Sequence, residues 1–89
     1  MSGQQSLVSI VVPTHNSAEY LRQCLDSIIG QTYRRLQIIC VDDGSTDETV
    51  QILDTYAKAD SRLSYVTQEN RGAGVARNRG LDRATGDYL

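Results

Sequence analysis

Leu7 to Val12 is a mostly β-branched run, closed by Pro13, with the make-up of a strand covered on both faces of a parallel sheet. Asn16-Ser17-Ala18-Glu19 then reads as a helix start. Tyr20, Leu21, Cys24, Leu25, Ile28 and Ile29 recur at helical spacing up to Gly30, which is placed to end the helix in a left-handed conformation. A second run, Leu36 to Val41, predicts a second strand that gives way to Asp42-Asp43-Gly44. In the following Ser45-Thr46-Asp47-Glu48, the Ser45 hydroxyl is expected to accept from a first-turn amide while Glu48 reaches back, and the acidic residues complement the helix dipole. The helix it opens, about Thr46 to Ala59, is expected to turn Val50, Leu53, Tyr56 and Ala57 inward. Leu63 to Thr67 predicts a third strand after the Asp60-Ser61 turn. Beyond the Gly-rich stretch from Asn70 to Gly74, Val75, Ala76, Leu81 and Ala84 suggest a third helix despite Gly80, with Gly86 closing it. Asp87-Tyr88-Leu89 begins a fourth strand.

Strand alternating with helix implies parallel pairing through right-handed crossovers, so the fold class is α/β, the N-terminal half of a doubly wound, mainly parallel sheet. The connections are short and no repeat interrupts them, which predicts one domain over residues 1–89 without a linker. At 89 residues and 39% hydrophobic content the chain is small for a self-sufficient core, and a truncated domain is expected. The net charge of −2 argues against a general nucleic-acid binder. Charge is uneven, however, because Arg62, Arg71, Arg77, Arg79 and Arg83 crowd the final third; an anion-binding loop and a solvated helix face would both look like this. Cys24 and Cys40 fall on predicted apolar positions without metal spacing, so both read as small core residues in a reducing compartment. Met1 to Ser6 lacks a basic-then-apolar leader pattern, and no apolar run approaches the ~20 residues that span a bilayer. A soluble, cytoplasmic chain is the expectation.

Three loops converge at one sheet edge in this topology: Pro13-Thr14-His15-Asn16, Asp42-Asp43-Gly44-Ser45 and Asn70-Arg71-Gly72-Ala73-Gly74. Open parallel sheets bind ligands beyond the carboxyl ends of their strands. A carboxylate there can accept from a base N–H or ribose hydroxyls, a flat ring such as His15 can stack on a base, and glycines admit a ligand close to the backbone. Each part has a plainer reading, His15 as a surface or capping residue and the aspartates as a turn and cap. Generic motifs do not decide the matter. Gly72-Ala73-Gly74-Val75-Ala76-Arg77 has arginine where a dinucleotide fingerprint needs its third glycine and follows the third strand rather than the first. There is no GxxxxGK[ST] loop, and no arrangement that argues for a metal or a nucleophile.

VSIVVPTHNSAEYLRQCLDSIIGQTY, LQIICVDDGSTDET and NRGAGVARNRGLDRATGDYL, in that order from about Val8 to Leu89, resemble the successive signatures of the family 2 inverting glycosyltransferases. The resemblance implies the GT-A nucleotide-sugar-binding fold, Rossmann-like, with strand order 3-2-1 and a fourth strand just begun beside the first. It implies a nucleoside diphosphate sugar donor, commonly UDP-linked, and an acceptor hydroxyl attacked with inversion in polysaccharide biosynthesis. By position, Pro13 and Thr14 would line the nucleoside site, His15 would take the place of the ring that family members offer to the base, Asp43 would accept from the base N–H and Asp42 would support it. Gly72 would allow close approach, and Arg77 and Asn78 would face the sugar-nucleotide side or brace the acidic loop, with a diphosphate and Asp42 both open as partners for the arginine.

The family's DXD-type motif, which holds Mn2+ or Mg2+ on the diphosphate, and its catalytic base are expected beyond Leu89. These residues are therefore expected to carry donor recognition without catalytic or metal-binding groups and to be inactive alone. The acceptor, whether glycan, lipid-linked sugar or protein, is open. Regions outside the chain could hold the enzyme at the cytoplasmic face of a membrane. A non-catalytic nucleotide-binding module is the alternative; a phosphoacceptor receiver fits poorly because its acidic cluster would have to follow the first strand as well. Finally, the open apolar edge of the first strand is expected to drive self-association of residues 1–89 alone.

Overall fold

The computed structural model describes residues 7–31, 35–84 and 87–88. Strands β1 (Val8–Thr14), β2 (Leu36–Asp43), β3 (Leu63–Gln68) and β4 (Asp87–Tyr88) alternate with helices α1 (Ala18–Ile29), α2 (Thr49–Ala59) and α3 (Ala73–Arg83). The sheet order is β3-β2-β1-β4 and all its pairings are parallel. The expected alternation and strand order are thus observed.

Strand periodicity divides the core into two layers. Leu36, Ile38 and Cys40 of β2 pack with Leu21 and Leu25 of α1, Ile52 and Leu53 of α2, and Leu63 of β3. On the opposite face Ile39 and Val41 meet Ala76 of α3. Even-numbered positions of β2 therefore look toward α1 and α2, odd-numbered ones toward α3. The alternation continues into the last two residues of the strand, Asp42 and Asp43.

Several local details depart from the sequence reading. Pro13 does not end β1, which continues to Thr14 in register with Asp42. The Val8 amide donates toward β2, to the Arg35 carbonyl at 2.9 Å, so by alternation Pro13, five residues on, turns its missing N–H toward the β4 side and costs the β1–β2 ladder nothing. β2 likewise extends past Val41 to include both aspartates. Gly30 is right-handed (φ −77°); the left-handed residue is Asn16 (φ 48°), a residue type that tolerates that region. Cys24 is exposed, because the inward stripe of α1 runs through Leu21, Leu25 and Ile28, leaving Tyr20 and Cys24 beside it on the water side. Cys40 is a core residue, and burial pushes its thiol up to about 12.

The expected capping box at Ser45 does not form. α2 begins at Thr49, and the Asp47 carboxylate accepts its amide hydrogen at 2.9 Å, while Ser45 bonds elsewhere. The inward face of α2 is accordingly Thr49, Ile52 and Leu53, with Val50 and Tyr56 half-buried. α3 closes at Ala84, in extended conformation, rather than at Gly86, which lies outside the described residues.

Gly80 explains how α3 reaches the sheet. A Cβ at this position would overlap Val11 Cγ1 and lie 3.2 Å from Val11 Cβ, so the helix backbone rests directly on a stiff β-branched side chain of β1. Ordinarily Gly→Ala inside a helix stabilises by up to ~1 kcal/mol. Here overpacking, about 1–3 kcal/mol, outweighs that gain. Gly80→Ala is expected to lower the melting temperature in a thermal scan, and to cost less in a Val11→Ala background; a higher melting temperature would show that α3 is not seated on Val11.

Candidate functional site

The carboxyl end of β2 delivers two buried carboxylates to opposite faces of the sheet, with Asp42 1% and Asp43 4% exposed. On the α1/α2 face, Asp42 ties β1 to the turn after β2. Thr14, itself buried at the end of β1, donates its hydroxyl to Asp42 Oδ1 at 2.9 Å. The Ser45 hydroxyl donates to the same oxygen, and the Ser45 amide donates to Oδ2 at 2.9 Å. No arginine pairs with Asp42 among the described residues, whose ion pairs are Lys58–Asp54 and Arg62–Asp60.

On the α3 face, Asp43 organises the Gly-rich loop. Its Oδ1 accepts from the Gln68 amide at 2.9 Å and from the Arg71 backbone N–H at 2.7 Å, and its Oδ2 accepts from the Gly72 N–H at 2.8 Å. Gly72 holds a left-handed φ of 99° as its amide turns to the carboxylate. Gly44, at φ 73°, lets the two loops touch, since a Cβ there would meet the Asn70 nitrogen at 3.0 Å. The Gln68 amide first, and then the Arg71 backbone amide, hold the Asp43 carboxyl below its ordinary 3.8. An ionised carboxylate has about four acceptor positions. Three are taken by the described residues, which leaves one on Oδ2 among them.

The loop after β1 is sewn to the loop after β2. His15 Nδ1 lies 2.6 Å from the Asp43 carbonyl oxygen. A carbonyl only accepts, so Nδ1 carries the proton and, in the neutral ring, Nε2 is the acceptor left free. The Asn16 amide donates to Ser45 Oγ at 2.8 Å, and Asn16 Oδ1 accepts from the Thr46 amide at 2.8 Å. The Ser17 amide donates to Thr49 Oγ1 at 2.9 Å.

Between the loops lies a pocket of about 110 Å³ lined by Pro13, Thr14, His15 and Asp43. Of its lining residues, Thr14 is bonded to Asp42 and Asp43 to the Gly72 amide. A larger, shallower depression of about 460 Å³, lined by Gln68, Glu69, Arg71, Val75 and Arg79, adjoins Asp43 through Gln68. Gln68 Oε1 is buried there without a hydrogen-bond partner among the described residues. Arg77 and Asn78 are not brought into this cluster: both are exposed on α3 and line neither depression. Gln68 was missed from sequence because the third strand was ended one residue early. In the observed register Gln68 stands opposite Asp43, and strand alternation puts both on the α3 face.

The low Asp43 carboxyl fixes the sign of a pH effect. A carboxyl whose folded-state pKa lies below its unfolded one contributes stability above the unfolded value, and loses it as pH falls through 3.8 toward the folded value. Asp43→Asn is therefore expected to melt earlier than the parent at neutral pH, with the difference narrowing below about pH 4 as the parent's own carboxylate is protonated. A gap that stays constant down to pH 2.5 would mean that the charge on Asp43 does not hold the loop.

Residues 9–89 match the profile of Glycosyl transferase family 2. Among curated proteins, the chain is 45% identical over 82 residues to glycosyltransferase GlyA of Streptococcus pneumoniae serotype 4, a match covering 92% of this chain and 12% of GlyA. GlyG of the same organism is 44% identical over 84 residues, covering 93% of this chain and 28% of GlyG. The chain thus spans well under a third of either relative. Among solved structures, the mannosyltransferase PcManGT from Pyrobaculum calidifontis, in complex with GDP-Man and Mn2+, superposes with a TM-score of 0.85 at 34% identity, over 94% of this chain and 26% of that one. S. aureus TarS residues 1–349, in complex with UDP, gives a TM-score of 0.83 at 32% identity, over 93% of this chain and 26% of that one. With the parallel β3-β2-β1-β4 sheet and a match over nearly its whole length, the chain belongs to glycosyl transferase family 2.

Proposed function

We propose that this chain forms the donor-nucleoside site of a glycosyltransferase that moves a sugar from a UDP-linked donor to an acceptor hydroxyl with inversion. The observation that carries the reading is the pocket of Pro13, Thr14, His15 and Asp43, in which one buried carboxylate keeps one acceptor position open. Uracil presents a single ring N–H between two carbonyls, and that edge suits one remaining lone pair on Asp43 Oδ2. Guanine presents two adjacent donors and would need a second acceptor beside the first. His15 offers its ring face for stacking, and Pro13 and Thr14 form the wall opposite Asp43. Gly72 permits close approach of the diphosphate side, toward which Arg77 and Asn78 on α3 would have to act from outside the pocket.

In the transfer itself the acceptor oxygen would form a bond to the anomeric carbon as the bond to the diphosphate oxygen breaks, the electron pair leaving with the diphosphate and the acceptor proton passing to a carboxylate base. Neither that base nor a metal is assigned to these residues. Among the described residues no three His, Cys, Asp or Glu side chains form a group that could hold a metal ion, so a Mn2+ or Mg2+ on the diphosphate would be held by residues outside them. GDP-Man with Mn2+ in PcManGT and UDP in TarS support a nucleotide-linked donor for this fold. The cytoplasm, or the cytoplasmic face of a membrane, is the proposed location; no helix among the described residues is long and apolar enough to cross a membrane.

Calorimetry on the full-length protein tests the donor reading. UDP is expected to bind more tightly than GDP, and Asp43→Ala to weaken UDP by about tenfold or more, the scale of a donor left without its acceptor. Equal UDP affinity in parent and Asp43→Ala, with a cooperative melt in both, would reduce Asp43 to a loop anchor. Self-association of residues 1–89 through β1 is proposed in a narrower form than the sequence suggests. On its β4 side, β4 pairs with Val8 and Ser9, and Pro13 has no N–H, so the part of that edge that lies past β4 among the described residues is short. Light scattering is expected to show a weak, concentration-dependent dimer for residues 1–89, and a strict monomer at high concentration would remove the proposal.

A further inference from the structure

Asp47 lies outside the pocket, yet the starts of two helices depend on it. Ser17 and Glu48, at the N-cap positions of α1 and α2, make no side-chain cap of their own. Asp47 supplies both instead. Its Oδ1 accepts from the Thr49 amide at 2.9 Å and from the Thr49 hydroxyl, while its Oδ2 reaches across to the Ala18 amide at 3.3 Å. The Thr49 hydroxyl oxygen in turn accepts from the Ser17 amide at 2.9 Å. One carboxylate thus sits at the positive ends of two helix dipoles, where a negative charge is favoured. The Thr49 hydroxyl first, with backbone amides of Thr49 and Ala18, keeps it ionised below the usual carboxylate range.

The consequence for the pocket follows from chain length. Thr14 is fixed to Asp42, and Ser17 and Ala18 are fixed to the Asp47–Thr49 pair. Only His15 and Asn16 lie between those anchors, and Asn16 is already in a left-handed turn. The span is too short to drift while both ends hold, so His15 is kept with Nδ1–H on the Asp43 carbonyl. We propose that Asp47 is a positioning residue for the nucleoside site, holding the His15 ring over Asp43 by pinning the start of α1 to the start of α2. This rests on the donor reading above for its functional meaning, but the positioning itself is a property of the free protein.

Asp47→Asn separates the two arms of the interaction. The Thr49 side presents two donors, so the amide oxygen of an asparagine stays there, and its NH2 group is turned to the Ala18 N–H, which it cannot accept. The Asp47–Ala18 bond between the helix starts is cut while α2 keeps its cap and the Ser17 amide keeps Thr49 Oγ1; Asp47→Ala removes the Asp47 bonds to both helices. In the full-length protein, nitrogen NMR of the His15 ring in alkaline buffer, where an imidazole is neutral, is expected to show the Nδ1–H tautomer in the parent and a shift toward Nε2–H in Asp47→Asn. UDP affinity is expected to fall about fivefold alongside, the scale of one hydrogen bond. An unchanged His15 tautomer in Asp47→Asn overturns the proposal, whatever happens to melting temperature or UDP affinity. If the parent protein binds no UDP, the donor reading fails by itself, and the tautomer of the free protein still decides the role of Asp47.

Discussion

Two consecutive carboxylates at the end of one strand hold the three loops of this site in place. Because side chains of a strand alternate, adjacent aspartates cannot serve the same neighbour. Asp42 is given to β1 and the turn that follows β2, Asp43 to β3 and the approach to α3. A loop buries few apolar groups, so its position has to come from directed bonds, and a buried carboxylate that accepts backbone amides is among the stronger ones available. Had β2 ended in a single aspartate, one of the two flanking loops would have lost its carboxylate anchor.

This division also explains why the two faces of the sheet are built differently. The α1/α2 face carries most of the core, with leucines and isoleucines from both helices against β2. The α3 face has a much smaller buried cluster, Ile39 and Val41 against Ala76. There α3 is located by close approach at Gly80 and by the Asp43 bonds just ahead of its first turn, rather than by a large apolar stripe. Exposed Arg77, Asn78 and Arg79 follow from the same geometry, since Ala76 and Gly80, four residues apart, are the buried positions among the described residues of α3.

The order of elements and the direction of pairing were legible because hydrophobic period and turn residues agree along the chain. So was the gathering of Pro13, Thr14, His15, Asp42, Asp43 and Gly72, since parallel topology puts every strand's carboxyl end on one edge. Partnership was not legible. Ser45-x-x-Glu48 has the spacing of a local cap, but Asp42 competes for the Ser45 hydroxyl and amide and wins, being fixed on a rigid strand. Gly80 reads as a weakness in a helix until the side chain opposite it, Val11, is known. Arg77 and Asn78 were placed by motif position, and a motif does not specify which side of a helix each of its residues takes.

The remaining acceptor position on Asp43 has a consequence for how binding and order are related in this site. The same carboxylate that fixes the Gln68, Arg71 and Gly72 donors is the group proposed to meet the base, so the loop must be in place before the single open lone pair points at the pocket. A ligand that takes that lone pair would complete the carboxylate's bonding beside the three donors it already holds. The base site proposed above and the 70–74 segment thus depend on one carboxylate, which already holds the Arg71 and Gly72 amides. Since Asp42 and Asp43 are joined by one peptide bond at the end of a rigid strand, the loop carrying His15 and the loop carrying Gly72 share the same fixed reference.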